Sequence, residues 1–84
     1  MDAVTGNRLI ERAHKQIERR TNALQQTLDE YKLVEELEAK NPGAYTYAIA
    51  ALRTKRDRQH KALESAKQFL AVIQSTLKTA PKRA

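Results

Sequence analysis

The tripeptide Asn41-Pro42-Gly43 is the only strong break between two long stretches that both carry a helical pattern of apolar residues. Asn41 is a suitable N-cap, and Pro42 suits the first position of a helix, where its missing N–H leaves no hydrogen bond unmade. A connection this short makes two neighbouring helices antiparallel. The sequence therefore predicts an all-α fold, with residues 1–84 forming a single two-helix antiparallel hairpin shaped like a coiled-coil rod.

The predicted helices extend outward from this break. Asn7 is expected to cap the first helix, with frayed residues before it, and Pro81 is expected to end the second. At 1.5 Å per residue, each helix would be about 50 Å long. The predicted elements are helix 1 over about 7–39, a turn over about 40–43, helix 2 over about 42–79 and a flexible basic tail over 80–84.

The apolar stripes of the two helices fix a register. Pairing residues whose numbers sum to about 84 brings Ile10 near Ile73 and Tyr31 near Leu52, so apolar side chains meet at both ends of the rod. The middle differs, because two apolar residues lack apolar partners there. In this register Leu24 and Leu28 face Gln59 and Arg56.

The open end of the hairpin carries an apolar face wider than one antiparallel partner helix can bury. A third and fourth helix are therefore expected, most simply from a second copy of the chain, because two hairpins make a four-helix bundle and two-fold dimers are the commonest soluble oligomers. A heterologous protein is the alternative source. The predicted dimer or partner interface consists of Leu9, Ile10, Ile17, Ala62, Phe69, Leu70, Ile73 and Leu77.

A second apolar group lies near the turn. Beyond Tyr31 the apolar residues of helix 1 follow at spacings of three, so their line moves round the helix. This pattern indicates either local overwinding or a wrap of the hairpin tip around itself, or else an exposed contact patch. The predicted tip contact consists of Leu33, Leu37 and Tyr47, the last projecting from the opposite side of helix 2.

Residues 53–61 form a basic segment without an apolar side chain, in a chain of net charge +6. Three interpretations stand: a solvated and partly paired face, a contact with an acidic protein partner, or a phosphate contact with nucleic acid. The register places Asp29 and Glu30 near Lys55 and Arg53, which would neutralise part of the segment. The candidate contacts are Arg53, Lys55, Arg56, Arg58 and Lys61.

The chain carries no catalytic, metal-binding or nucleotide-binding signature. His14 and His60 lie on different predicted helices, far apart along the rod, and the chain has no cysteine. We therefore expect neither an enzyme nor a bound cofactor or metal. No apolar run approaches the roughly 18 residues of a membrane span, so we expect a cytoplasmic protein without membrane contact.

These features predict a non-catalytic protein–protein interaction module. Such a hairpin would act as a small adaptor, inhibitor or assembly factor that binds a larger macromolecule through its helical faces, with homodimerisation expected as well. No residue motif identifies a family or the protein partner. The alternatives are a basic hairpin that binds nucleic acid and a structural coiled-coil element within a larger assembly.

Overall fold

The computed structural model describes residues 2–79 as two long helices. Helix α1 spans Ala3–Lys40 and helix α2 spans Thr46–Thr79, and the two helices pack side by side in antiparallel orientation. The described part of the chain is 92% helical without strands, and it forms a rod 58 Å long. The predicted all-α hairpin is thereby confirmed. The predicted basic tail, residues 80–84, lies outside the described residues.

Helix α1 begins earlier than the sequence pattern indicated. Asp2 is its N-cap, and its carboxylate accepts a hydrogen bond from the Thr5 backbone N–H at 2.7 Å. That hydrogen bond lowers the pKa of Asp2, because it stabilises the ionised form. The expected cap at Asn7 and frayed residues before it are therefore wrong.

Gly6 explains why the early start is favourable. It is buried, and a Cβ added at Gly6 would lie 2.5 Å from Leu77 Cδ2. Leu77 therefore packs directly on the glycine backbone of α1, in the space that a side chain would fill. Gly6 allows a close approach of the two helices instead of breaking the first one.

The connection is a separate turn, and Pro42 is not the first residue of α2. Asn41 ends α1, and its N–H donates to the Leu37 carbonyl at 3.0 Å. Gly43 has φ +86°, a left-handed conformation that glycine adopts without steric cost. The Glu38 carboxylate accepts hydrogen bonds from the N–H groups of Gly43 and Tyr45, which stabilises the turn. As a result α2 begins at Thr46, four residues after the expected start.

The predicted register is confirmed by contacts along the whole rod. The pairs in contact have numbers that sum to 83 at the open end, 82 further along and 84 near the turn. They are Gly6 with Leu77, Arg20 with Ala62 and Tyr31 with Arg53.

The hydrophobic core between the helices is small. Its buried members are Ala13, Leu63, Ala66 and Ile73, two of which are alanines. All four lie in the half of the rod next to the open end. The hairpin therefore has a short core, and much of its apolar surface lies outside it.

The middle of the rod is polar, in agreement with the weak centre that the register predicted. Thr27 is 1% exposed, and its hydroxyl donates to the Ala23 carbonyl at 3.2 Å. Gln59 Oε1 is buried without a hydrogen-bond partner within residues 2–79. Leu28, which the register left without an apolar partner, is 39% exposed. A polar layer thus separates the apolar open end from the turn.

Candidate interaction surfaces

A groove opens between α1 and α2 near the open end of the hairpin. We call it the open-end groove, and its volume is about 390 Å³. Apolar side chains form its walls, and two arginines line it from α1. Its lining residues are Leu9, Arg12, Ala13, Gln16, Arg20, Ser65, Ala66 and Phe69.

Arg20 is held in place at the inner end of this groove. Its Nη1 donates to the Ala62 carbonyl at 3.0 Å, and its Nη2 donates to Gln16 Oε1 at 3.2 Å. The first bond joins α1 to α2, the second lies within α1, and together they fix the guanidinium. Arg12, about two helical turns nearer the open end on α1, is exposed. The groove therefore combines an apolar surface with positive charge and suits an apolar side chain flanked by an acid.

The structure divides the predicted interface residues into two groups. Ile73 is 3% exposed between the helices, and Leu77 packs on Gly6, so both stabilise the hairpin itself. Phe69 is 53% exposed and forms a wall of the open-end groove. The remaining members are half-buried: Leu9, Ile10, Ile17, Ala62 and Leu70.

Sequence reasoning missed the polar residues of the groove. Arg12, Gln16 and Arg20 did not enter the predicted interface because only apolar positions were placed there. Their spacing was a usable signal, since Arg12 and Gln16 follow Leu9 at three and seven residues on one side of a helix. Val72, which is 63% exposed, was also missed.

The tip surface consists of the leucines near the turn on α1. Leu33 is 61% exposed and Leu37 is 42% exposed, so the tip does not wrap around these side chains. Exposure of both favours the interpretation as a contact patch. Tyr47, in the first turn of α2, is 92% exposed. All three predicted tip residues are thus accessible to a partner.

The basic segment, residues 53–61, is only partly neutralised. Arg53 Nε donates to the Tyr31 hydroxyl at 2.8 Å, which raises the pKa of Arg53. The guanidinium of Arg56 lies 5.5 Å from the centre of the Tyr31 ring and 3.3 Å from Asp57. Both arginines are therefore engaged with the hairpin, through a cation–π contact and a short ion pair.

The predicted neutralisation by Asp29 and Glu30 is wrong. Ion pairs within residues 2–79 are Glu11–Lys15, Arg56–Asp57 and Glu64–Lys67, and neither acid takes part. Asp29 instead accepts a hydrogen bond from Gln25 on its own helix. Tyr31, which lies between α1 and α2, takes the position opposite Arg53. The exposed basic residues of this segment that make neither an ion pair in the described part of the chain nor a contact with Tyr31 are Lys55, Arg58 and Lys61.

No group of three metal-ligating side chains comes together within residues 2–79. Over the same residues, neither helix is apolar enough along its length to cross a membrane. Comparison of the chain with known protein families, with curated proteins and with solved structures finds no match. The surfaces themselves are thus the basis for a functional argument.

Proposed function

We propose that this hairpin is a non-catalytic protein–protein interaction module of the cytoplasm, which pairs with a second copy into a four-helix bundle and binds a larger macromolecule as an adaptor, inhibitor or assembly factor. The observation that carries the proposal is the exposure of large apolar side chains beside a small core. Phe69 and Leu33 are each more than half exposed, while the core contains two alanines. Exposed apolar patches of this kind mark protein interaction sites.

The open-end groove is the surface that we assign to self-association. Phe69 lines it, is 53% exposed and is not among the buried core residues, so a charge at this position should disrupt association without unfolding the hairpin. We expect wild-type protein to sediment as a dimer at micromolar concentration and Phe69→Asp to sediment as a folded monomer. Val72→Asp is the matched control, because Val72 is similarly exposed on the same helix but does not line the groove. A wild-type chain that remains a folded monomer would remove the bundle from the proposal.

Tyr47, at the tip of the rod, is assigned to the macromolecular partner. We expect a nuclease-treated pull-down from the native host to retain a protein that Tyr47→Ala no longer captures. Tyr47→Ala should leave stability nearly unchanged, because surface substitutions alter it by only about 0.5 kcal/mol. His60→Ala is the control, because His60 is exposed near the middle of the rod, away from both of its ends. Equal capture by Tyr47→Ala and by His60→Ala would contradict the assignment.

Binding of nucleic acid is the second candidate function, favoured by one observation. Lys55, Arg58 and Lys61 are exposed on α2 and make no ion pair within residues 2–79. Against it, single-stranded sites usually stack bases on aromatic side chains, and the tyrosine next to the segment, Tyr31, already contacts Arg53 and Arg56.

Salt dependence separates the two candidates. A phosphate contact predicts an affinity that falls by orders of magnitude between about 50 and 200 mM salt, and that is lost in the double variant Arg58→Glu with Lys61→Glu. We expect instead that DNA and RNA bind weakly at about 150 mM salt, where the screening length is roughly 8 Å. A sub-micromolar, steeply salt-dependent complex under these conditions would favour the second function.

A further inference from the structure

Helix α1 carries a second row of residues, separate from the row that packs on α2. Successive members are three and four residues apart in alternation, the heptad spacing of a helix–helix seam. Ala23 and Leu9 are half-buried, and the other members are exposed. The row starts in the open-end groove and ends at the tip surface, and we call it the outer row: Leu9, Arg12, Gln16, Arg19, Ala23, Gln26, Glu30, Leu33 and Leu37.

The outer row is complementary to itself when it is reversed. In an antiparallel pair of α1 helices, residues whose numbers sum to 42 would face each other. Two leucines then meet, an arginine meets a glutamate, and two glutamines meet. A two-fold axis makes each of these contacts twice. The facing pairs are Leu9 with Leu33, Arg12 with Glu30, Gln16 with Gln26 and Arg19 with Ala23.

We propose that α1 packs antiparallel against α1 of a second copy along the outer row, which brings Leu33 of each chain into the open-end groove of the other. The inference rests on the proposed self-association and specifies its orientation and register. Leu33 of the second copy packs between Leu9 and Phe69, which line that groove. Glu30 of the second copy reaches Arg12 one turn away. The second copy thus supplies the apolar side chain and the adjacent acid that match the apolar and positively charged lining of the groove.

Other arrangements of the same two helices match poorly. A shift of one heptad, to a sum of 49, pairs Arg19 with Glu30 but places Leu33 on Gln16 and Leu37 on Arg12, so no leucine of the row faces an apolar residue. A shift to a sum of 35 removes Leu33 from the groove, since its facing position becomes residue 2, outside α1. A parallel pair places Arg12 beside Arg12 and Glu30 beside Glu30, which are repulsive contacts. The antiparallel sum of 42 also overlaps nearly all of Ala3–Lys40 with itself.

The complementary charges identify the occupant as a second copy. A foreign helix would need a leucine and an acid at the same spacing as Leu33 and Glu30, together with a basic residue and a leucine 18 to 24 residues away. The outer row itself supplies this pattern, in the reverse order that a two-fold axis requires. A protein without such symmetry would match one end only.

Introduced cysteines test the orientation, because the chain has none of its own. In the proposed pair, positions 9 and 33 of different chains are in contact, so Leu9→Cys with Leu33→Cys should give a covalent dimer with copper phenanthroline as the oxidant. Within one chain the same positions are about 36 Å apart along the helix, which excludes an internal disulfide. Each single variant should cross-link little, since its two copies are also about 36 Å apart. Efficient cross-linking by either single variant would demonstrate a parallel pair and overturn the proposal.

Charge exchange tests the register. Arg12→Glu or Glu30→Arg alone should raise the dissociation constant of the dimer by more than about tenfold at low salt, since each creates two repulsive contacts. The double variant should return to within about threefold of wild type, because the pairs are restored in reverse. Arg8→Glu is the control, an exposed arginine outside the outer row. Circular dichroism confirms that every variant remains helical.

The outcomes separate this inference from the function on which it rests. Wild-type protein that stays monomeric would overturn both the self-association and the outer-row seam. A wild-type dimer in which the double charge variant is no better than the single variants would overturn the seam alone. Rescue in the double variant, together with cross-linking only between positions 9 and 33, supports the seam.

Discussion

Replacement of Ile73 by alanine tests directly which residues form the core. Ile73 is 3% exposed, whereas the adjacent Val72 is 63% exposed. Ile73→Ala removes three carbon atoms from the core, worth about 0.8 kcal/mol each in transfer free energy. The cavity left behind adds to this loss, so we expect a destabilisation of about 3 kcal/mol, within the range of measured Ile→Ala substitutions. Val72→Ala should change the free energy of unfolding by no more than about 0.5 kcal/mol.

Urea unfolding followed by far-UV circular dichroism measures both variants. All samples are compared at one protein concentration, because association with a second copy makes apparent stability depend on concentration. A loss at Ile73 below about 1 kcal/mol, or an equal loss at both positions, would refute the reasoning. Either result would mean that α2 is rotated so that Ile73 faces outward, as the sequence pattern alone allowed.

Three further predictions concern the interface between α1 and α2, the turn and the N-cap of α1. Gln59→Leu should raise the free energy of unfolding by about 1 kcal/mol, because Gln59 Oε1 is buried without a partner in the described residues; a loss measured by thermal unfolding would show that this oxygen is hydrogen-bonded in solution. Gly43→Ala should lower the free energy of unfolding by about 1 kcal/mol, because φ at Gly43 is +86°, a conformation that is strained for alanine. An unchanged urea midpoint would contradict the turn geometry. Hydrogen bonding lowers the pKa of Asp2, so the cap is fully present above the ordinary aspartate pKa of about 3.9 and is lost as the pH falls through the lowered value. An NMR titration of the Thr5 amide should show this transition, and Asp2→Asn should remove it.

The hairpin and its register could be predicted because two long apolar stripes meet at a single break. Each stripe fixes one face of a helix, and a short turn leaves only one way to bring the faces together. The contact of Gly6 with Leu77 could not be predicted in the same way. Glycine has a low helix propensity, which favours ending or breaking a helix at Gly6. The packing of Leu77 on Gly6 outweighs that propensity, and this packing depends on the partner helix.

At the open end and the tip, the candidate surfaces were predicted only at their apolar residues. Leu33, Leu37 and Tyr47 were placed at the tip from their spacing, and all three are exposed. Arg20 was not placed in the groove, because its position there depends on hydrogen bonds to Ala62 and Gln16. Such bonds require the side-chain conformation as well as the register.

Residues 2–79 reverse direction once, so Asp2 and Thr79 are at one end of the rod and the turn is at the other, with 58 Å of helix between them. In the proposed antiparallel pair, each end of the assembly therefore presents one turn with its Tyr47 and one pair of chain ends. The assembly is bivalent, with two identical docking ends held apart by a stiff spacer. A target with two binding sites at a matching separation would be held by both ends at once, with an avidity that a single hairpin cannot reach.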